Sequence, residues 1–112
     1  MSNPFVWMDN RASKDSSAAA AFYSDVFGWT TSDGPGMTMF AAEAPPPFAG
    51  VFDAPSDIIG WVPYVQVADL GEAEKRTVDA GGEIAQARTK GPAGEFTLVR
   101  DPGGSPIALW TP

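Results

Sequence analysis

Arg100-Asp101-Pro102-Gly103-Gly104-Ser105-Pro106-Ile107-Ala108-Leu109-Trp110 decides how the rest of the chain is read. An apolar run, Phe96-Thr97-Leu98-Val99, leads into it. Asp-Pro-Gly-Gly is a turn signal, because proline fixes φ and glycine tolerates positive φ. Ile107 to Trp110 leaves the turn as a short strand. The chain therefore closes on a hairpin, and Ala108 sits in the middle of its last strand.

Working back from the hairpin, Glu95 to Val99 is one strand and Ile84-Ala85-Gln86 another, with Thr89 to Gly94 turning the chain between them. A helix spans Leu70 to Ala80, capped by Asp69 and stopped by Gly81-Gly82. Glu72 stands at helical spacing from Lys75 and Arg76, which predicts surface ion pairs. Trp61 to Val67 is a strand in which Pro63 demands an edge or a bulge. Asp53 to Ile59 links it to the first half.

That first half opens with a strand, Phe5-Val6-Trp7-Met8, and a polar connection, Asp9 to Lys14. Asp15 or Ser16 caps a helix over Ser17 to Phe27, rich in alanine and stopped by Gly28. Ala19, Phe22 and Val26, with Tyr23 beside them, form its apolar stripe. Trp29-Thr30-Thr31, Met37 to Ala41 and Phe48 to Phe52 supply three short strands. Pro45-Pro46-Pro47 stands between the last two.

The halves repeat. Both run strand, helix, three strands, and at a constant offset Trp7 meets Trp61, Asp15 meets Asp69, Ala19 meets Ala73, Asp25 meets Asp79 and Gly28 meets Gly82. A duplicated βαβββ unit follows. The expected organisation is a single domain over 1–112, with one module over about 4–54 and a second over about 59–112.

Composition narrows the function. The 112 residues carry a net charge of −7 with only seven Lys plus Arg. No basic run exists for nucleic acid or an anionic membrane. The chain has neither cysteine nor histidine, which removes thiol chemistry and the commonest metal ligand and general base. No leader peptide and no 18-residue apolar run is read, so a cytoplasmic protein is expected.

Phe22-Tyr23-Ser24-Asp25-Val26-Phe27-Gly28-Trp29 resembles the helix-end motif of the vicinal oxygen chelate superfamily, which includes glyoxalase I, bleomycin-resistance proteins and extradiol dioxygenases. Val67-Ala68-Asp69-Leu70, Gly81-Gly82 and Asp101 to Gly104 resemble the second half of that pattern. Trp61 to Val65 is similar to a small glyoxalase-like bacterial subgroup. The resemblance implies an α+β fold: two βαβββ modules form a curled eight-stranded mixed sheet, an open cup with its helices outside. It also implies a small-molecule ligand in the cup and a homodimer.

Metal-dependent members of that superfamily place His, Glu or Gln in the first, fourth, fifth and eighth strands. Carried onto this chain, those positions fall on Met8, near Gly50 to Phe52, on Val62 and on Ala108. None offers the oxygen or nitrogen donor a divalent ion needs. A shift by one residue would bring in Trp7 or Asp9, of which Asp9 could ligate. No metal site and no cofactor is expected.

Alternation along strands puts residues two apart on one face. The expected wall is Val6, Met8 and Asn10 from the first strand, Val62, Tyr64 and Gln66 from the fifth, and Pro106, Ala108 and Trp110 from the last. Met8, Asn10, Val62, Tyr64, Gln66, Ala108 and Trp110 are the candidate ligand contacts. An apolar and aromatic wall with few polar groups suits a small apolar or aromatic compound. Asp9, Tyr64, Glu95 and Arg100 could do acid–base work but show no recognised spacing, so no catalytic residue is assigned. Two further readings stand beside the metal-free binding protein. One is a glyoxalase- or dioxygenase-like enzyme, either without a metal or with metal ligands outside the family pattern. The other is an accessory domain whose cup is filled by its own side chains.

Overall fold

A computed structural model describes residues 4–112; the leader reading of residues 1–3 falls outside them. The elements are β1 Phe5–Ala12, α1 Ser16–Phe27, β2 Thr30–Gly34, β3 Met37–Ala41, β4 Ala49–Asp53, β5 Gly60–Gln66, α2 Leu70–Asp79, β6 Glu83–Gly91, β7 Gly94–Arg100 and β8 Pro106–Thr111. This is the α+β order of two βαβββ runs. The strands hydrogen-bond in a mixed sheet in the order β2-β3-β4-β1-β5-β8-β7-β6. In each run the first strand pairs parallel with the last, β1 with β4 and β5 with β8. By contacts the described residues divide into two compact units, Trp7–Val62 and a second made of Pro63–Pro112 with residues 4–6.

In the unit Trp7–Val62, β1 is longer than its apolar start suggests. Asp9, Asn10 and Arg11 belong to the strand and are buried, where a polar connection was expected. Each has partners that offset the cost of burial. Trp7 Nε1 donates to Asp9 Oδ1 at 2.7 Å. Asn10 Nδ2 donates to the Tyr23 hydroxyl at 3.3 Å. Arg11 Nε donates to the Ile58 carbonyl at 2.6 Å, and its guanidinium lies 5.5 Å from the centre of the Phe52 ring.

Helix α1 begins one residue earlier than expected, with Asp15 accepting from the Ala18 N–H. Its buried stripe differs in phase from the expected one. Ala19, Ala20 and Tyr23 pack on the core of Ala12, Phe40, Ala49 and Val51. Phe22 and Val26 point outward, 54% and 55% exposed. Alanine-rich helices leave the phase ambiguous, since small residues fit on either side. Tyr23 decides it: its ring meets Trp29, Phe40 and Trp61 at centroid distances of 5.6, 5.8 and 5.2 Å.

In the other unit, α2 is capped by Asp69, whose carboxylate accepts from the Glu72 N–H at 2.9 Å. The Glu72–Arg76 pair forms on the exposed side at 2.9 Å. Gly81 takes the left-handed conformation that stops the helix, while Gly82 does not. A Cβ on Gly82 would lie 2.7 Å from the Arg100 carbonyl, so close approach of β7 explains that glycine. The match of Gly28 with Gly82 across the repeat thus joins two glycines kept for different reasons. Strand β6 runs on to Gly91, with two irregularities against β7, so the turn before β7 is only Pro92-Ala93. Pro63 lies on a strand with neighbours on both sides, contrary to the expected edge or bulge. The β5–β8 ladder starts at Tyr64, so the missing N–H of Pro63 falls outside it. Asp101 ties the last hairpin by accepting from the N–H groups of Gly103 and Ser105 at 2.9 and 3.0 Å.

Candidate functional site

Which face each strand turns to its helix can be read from single contacts. In the second unit, Thr97 Oγ1 donates to Glu74 Oε2 of α2 at 2.6 Å. Thr97 is in register with Leu109, and Leu109 with Val65. These three residues face α2. The alternating set, Tyr64, Phe96, Leu98, Ala108 and Trp110, faces away from it. Phe96 is paired with Trp110 across the β7–β8 hairpin, Trp110 with Gln66, and Ala108 with Tyr64. The Tyr64 and Phe96 rings stand 5.8 Å apart.

Four expected contacts of this unit, Tyr64, Gln66, Ala108 and Trp110, therefore share one face. Their accessibility differs. Ala108 has no exposed surface and neither has Leu98 beside it. Phe96 and Trp110 are half-buried, Tyr64 is nearly covered, and Gln66 is exposed. Phe96 was not among the expected contacts. The hairpin register that brings it to Trp110 depends on the turn length, which the sequence left open.

The unit Trp7–Val62 departs from expectation. Asn10 bonds to Tyr23 of α1, and Met8 is packed against the core that contains Ala20. Both side chains face α1. The face away from α1 carries Trp7, Asp9 and Arg11 instead, the set one residue out of step. Gly50 lies on that face, and a Cβ there would come within 2.6 Å of the Met37 sulfur and 3.2 Å of the Trp7 ring. Val62 alternates with Trp61, whose indole N–H donates to the Tyr23 hydroxyl at 3.0 Å. Val62 thus points away from α1 and is fully buried.

This inversion has a visible correlate in the backbone. Asp15 is left-handed (φ 48°), the one described non-glycine residue with positive φ, whereas its repeat mate Asp69 is extended (φ −142°). The helices match at the constant offset, down to the capping bond. The strands before them present opposite sets of residues to their helices.

Asp9 is the carboxylate buried on the face away from α1, held by Trp7. In the second unit the carboxylate of note is Glu74. Hydrogen bonds from Arg88 and then Thr97 hold it below the usual carboxylate range, against a smaller opposing effect of burial. Among the described residues no group of three or more His, Cys, Asp or Glu side chains could hold a metal ion. Of the residues turned away from the helices near the family's ligand positions, Asp9, Val62 and Ala108, only Asp9 has an oxygen donor, and one carboxylate does not fit the family-type metal. A groove of about 350 Å³ borders Ser16, Thr38, Val51 and Asp53; none of the seven expected contacts lines it. Among the described residues no helix is long and apolar enough to cross a membrane.

A duplicated βαβββ order with parallel first and last strands defines a glyoxalase-like class of protein. A profile of the Glyoxalase/Bleomycin resistance protein/Dioxygenase superfamily matches residues 10–109, and the chain belongs to that superfamily. It is 29% identical over 119 aligned residues to CFP32 of Mycobacterium tuberculosis and of Mycobacterium bovis, which carries the provisional name of a glyoxylase. The match covers 93% of this chain and 44% of the relative, so the chain spans less than half of that protein's length. Among solved structures, methylmalonyl-CoA epimerase from Mycobacterium tuberculosis superposes with a TM-score of 0.59 at 19% identity, covering 98% of this chain and 87% of that one. A Mn(II)-bound glyoxalase from Novosphingobium aromaticivorans gives 0.62 at 16% identity, covering 94% and 36%. At such identities the two structures speak for the fold alone.

Proposed function

We propose that this chain binds a small, largely apolar or aromatic compound without a metal ion. The supporting observation is the pairing of Phe96 with Trp110 on the strand face turned away from α2, with the Tyr64 ring 5.8 Å from that of Phe96. At that spacing Tyr64 packs against Phe96 and fixes it, and the half-exposed surfaces of Phe96 and Trp110 are what a planar ligand could stack on. Phe96 and Trp110 keep exposed surface for it, while Ala108 forms the packed floor between strands. A second copy of the chain is the other proposed partner, and the cytoplasm the proposed location.

A self-filled face is the second reading, favoured by the complete burial of Ala108 and Leu98. The indole N–H resonances of an isotope-labelled sample separate the two. Naphthalene and indole, used as probes, should move the Trp110 signal saturably and leave that of Trp29 in place. Trp110→Ala should abolish the thermal stabilisation, which reaches about 2.7 kcal/mol at a hundredfold excess over Kd. No movement with either probe favours the self-filled face. A glyoxalase-type reaction has less support, since of Asp9, Val62 and Ala108, the residues turned away from the helices nearest the family's ligand positions, only Asp9 carries an oxygen donor. A stoichiometric metal in the purified protein, with activity lost on chelation, would reverse that ranking.

A further inference from the structure

The chain has four arginines, and three of them have counter-charges. Arg76 pairs with Glu72, Arg88 with Glu74 and Arg100 with Glu83. Arg11 is the exception and the most deeply buried of the four, 2% exposed. No described carboxylate forms an ion pair with it. Asp9, two residues away on the same strand face, accepts from Trp7. Asp57 is exposed, and its neighbours Ser56 and Ile58 offer Arg11 only neutral oxygens, a hydroxyl and a carbonyl. A guanidinium keeps its charge inside a protein, and a buried charge is costly until an opposite charge meets it.

Its donors are not exhausted either. Of the five N–H bonds of a guanidinium, Nε gives one to Ile58 and Nη2 one to Ser56. Nη1 has no acceptor among the described residues. No buried polar side-chain atom of a described residue goes without a hydrogen bond, so Nη1 reaches the surface. The Phe52 ring covers one face of the guanidinium, which leaves its terminal edge for a ligand.

We propose that Arg11 binds the carboxylate of a small acid with an apolar body. Nη1 and the second N–H of Nη2 supply the fork that two carboxylate oxygens take in parallel. The same strand face offers a place for the apolar body. Phe52 is half-buried beside the guanidinium, and Met37 and Trp7, also half-buried, meet over Gly50. A single cation with Asp9 two positions along the face suits a monoanion, which favours a carboxylate over a phosphate dianion. The site lies wholly within the unit Trp7–Val62 and does not rest on the Phe96–Trp110 reading.

Sodium benzoate is the probe, with benzyl alcohol, sodium chloride and inorganic phosphate for comparison. In an isotope-labelled sample of the full chain, benzoate should shift the Arg11 Nε–H cross-peak saturably and leave the other arginine signals in place. Benzyl alcohol and chloride should move none of them. Ser56→Asp places a carboxylate beside Arg11 within the chain, where its oxygens can also accept from the Ile58 N–H as Ser56 Oγ does at 3.3 Å. That variant should melt at a higher temperature and bind benzoate about tenfold more weakly. Arg11→Met should abolish binding; should that variant fail to fold, the Arg11 signal of the unsubstituted chain and Ser56→Asp still decide. An Arg11 signal that ignores benzoate, responds equally to benzyl alcohol or chloride, or binds phosphate more tightly overturns the proposal. So does a Ser56→Asp chain that binds benzoate as the unsubstituted chain does.

Discussion

The indole N–H of Trp61 donates to the hydroxyl of Tyr23 at 3.0 Å, joining the start of β5 to the inner face of α1 across 38 residues of sequence. The same hydroxyl accepts from Asn10. Removing it leaves two partly buried donors without this acceptor. Tyr23→Phe should therefore cost about 1–3 kcal/mol, more than an ordinary hydrogen bond. Urea denaturation gives the magnitude. The cycle with Asn10→Ala gives the share that belongs to Asn10.

Glu74, Arg88 and Thr97 predict a pH dependence. Glu74 is held below its ordinary pKa by Arg88 first and Thr97 second. A depressed carboxylate stabilises the fold fully above its unfolded pKa, about 4.3. That contribution is lost as the pH falls through the lower folded value. Thr97→Val keeps the shape and removes one donor. It should raise the Glu74 pKa toward normal, narrow the window over which stability falls in acid, and cost roughly 1 kcal/mol at neutral pH. An NMR titration of the Glu74 carboxyl carbon reads the shift directly.

The two helix caps should respond differently to glycine. Asp15→Gly loses the bond to the Ala18 N–H but relieves a left-handed residue, so stability should change by no more than a few tenths of a kcal/mol. Asp69 is extended and has no strain to relieve. Asp69→Gly should cost about 1 kcal/mol, with added chain freedom in the unfolded state contributing. Alanine reverses the order: Asp15→Ala should cost more than Asp69→Ala. Thermal melts of the four variants check the ranking.

Arg11 fastens β1 to the segment before β5 through the Ile58 carbonyl and the Ser56 hydroxyl, the latter at 3.2 Å. Lysine cannot reproduce the fork of donors. Arg11→Lys should cost about 2–3 kcal/mol, and Ser56→Ala no more than about 1. Limited proteolysis should cut the segment around Ser56 faster in the Arg11 variant.

The order of elements was legible because caps, stops and turn residues are local signals. Asp15, Asp69, Gly28 and the Asp101 turn each act through their immediate neighbours. The face of β8 was legible as well, since alternation from Ala108 needs no knowledge of other strands. Three features were not legible. Asp9 to Arg11 read as a connection because their burial depends on Trp7, Tyr23 and Ile58, two of them remote in sequence. The phase of α1 was misread because Phe22 and Val26 look like core residues, whereas Tyr23 reaches the aromatic cluster. Met8 and Asn10 were placed on the face away from α1 by counting the family's interval back from Asp15, an interval that does not hold where Asp15 is left-handed.

The difference between the halves bears on how such a duplicated chain drifts. Because the strands before α1 and α2 present opposite sets of residues to their helices, the two halves are not interchangeable, though their sequences align without a gap. A substitution selected in one half no longer suits its counterpart in the other. Recombination between the halves would put Val62 where Met8 meets the core and Trp7 where Trp61 meets Tyr23.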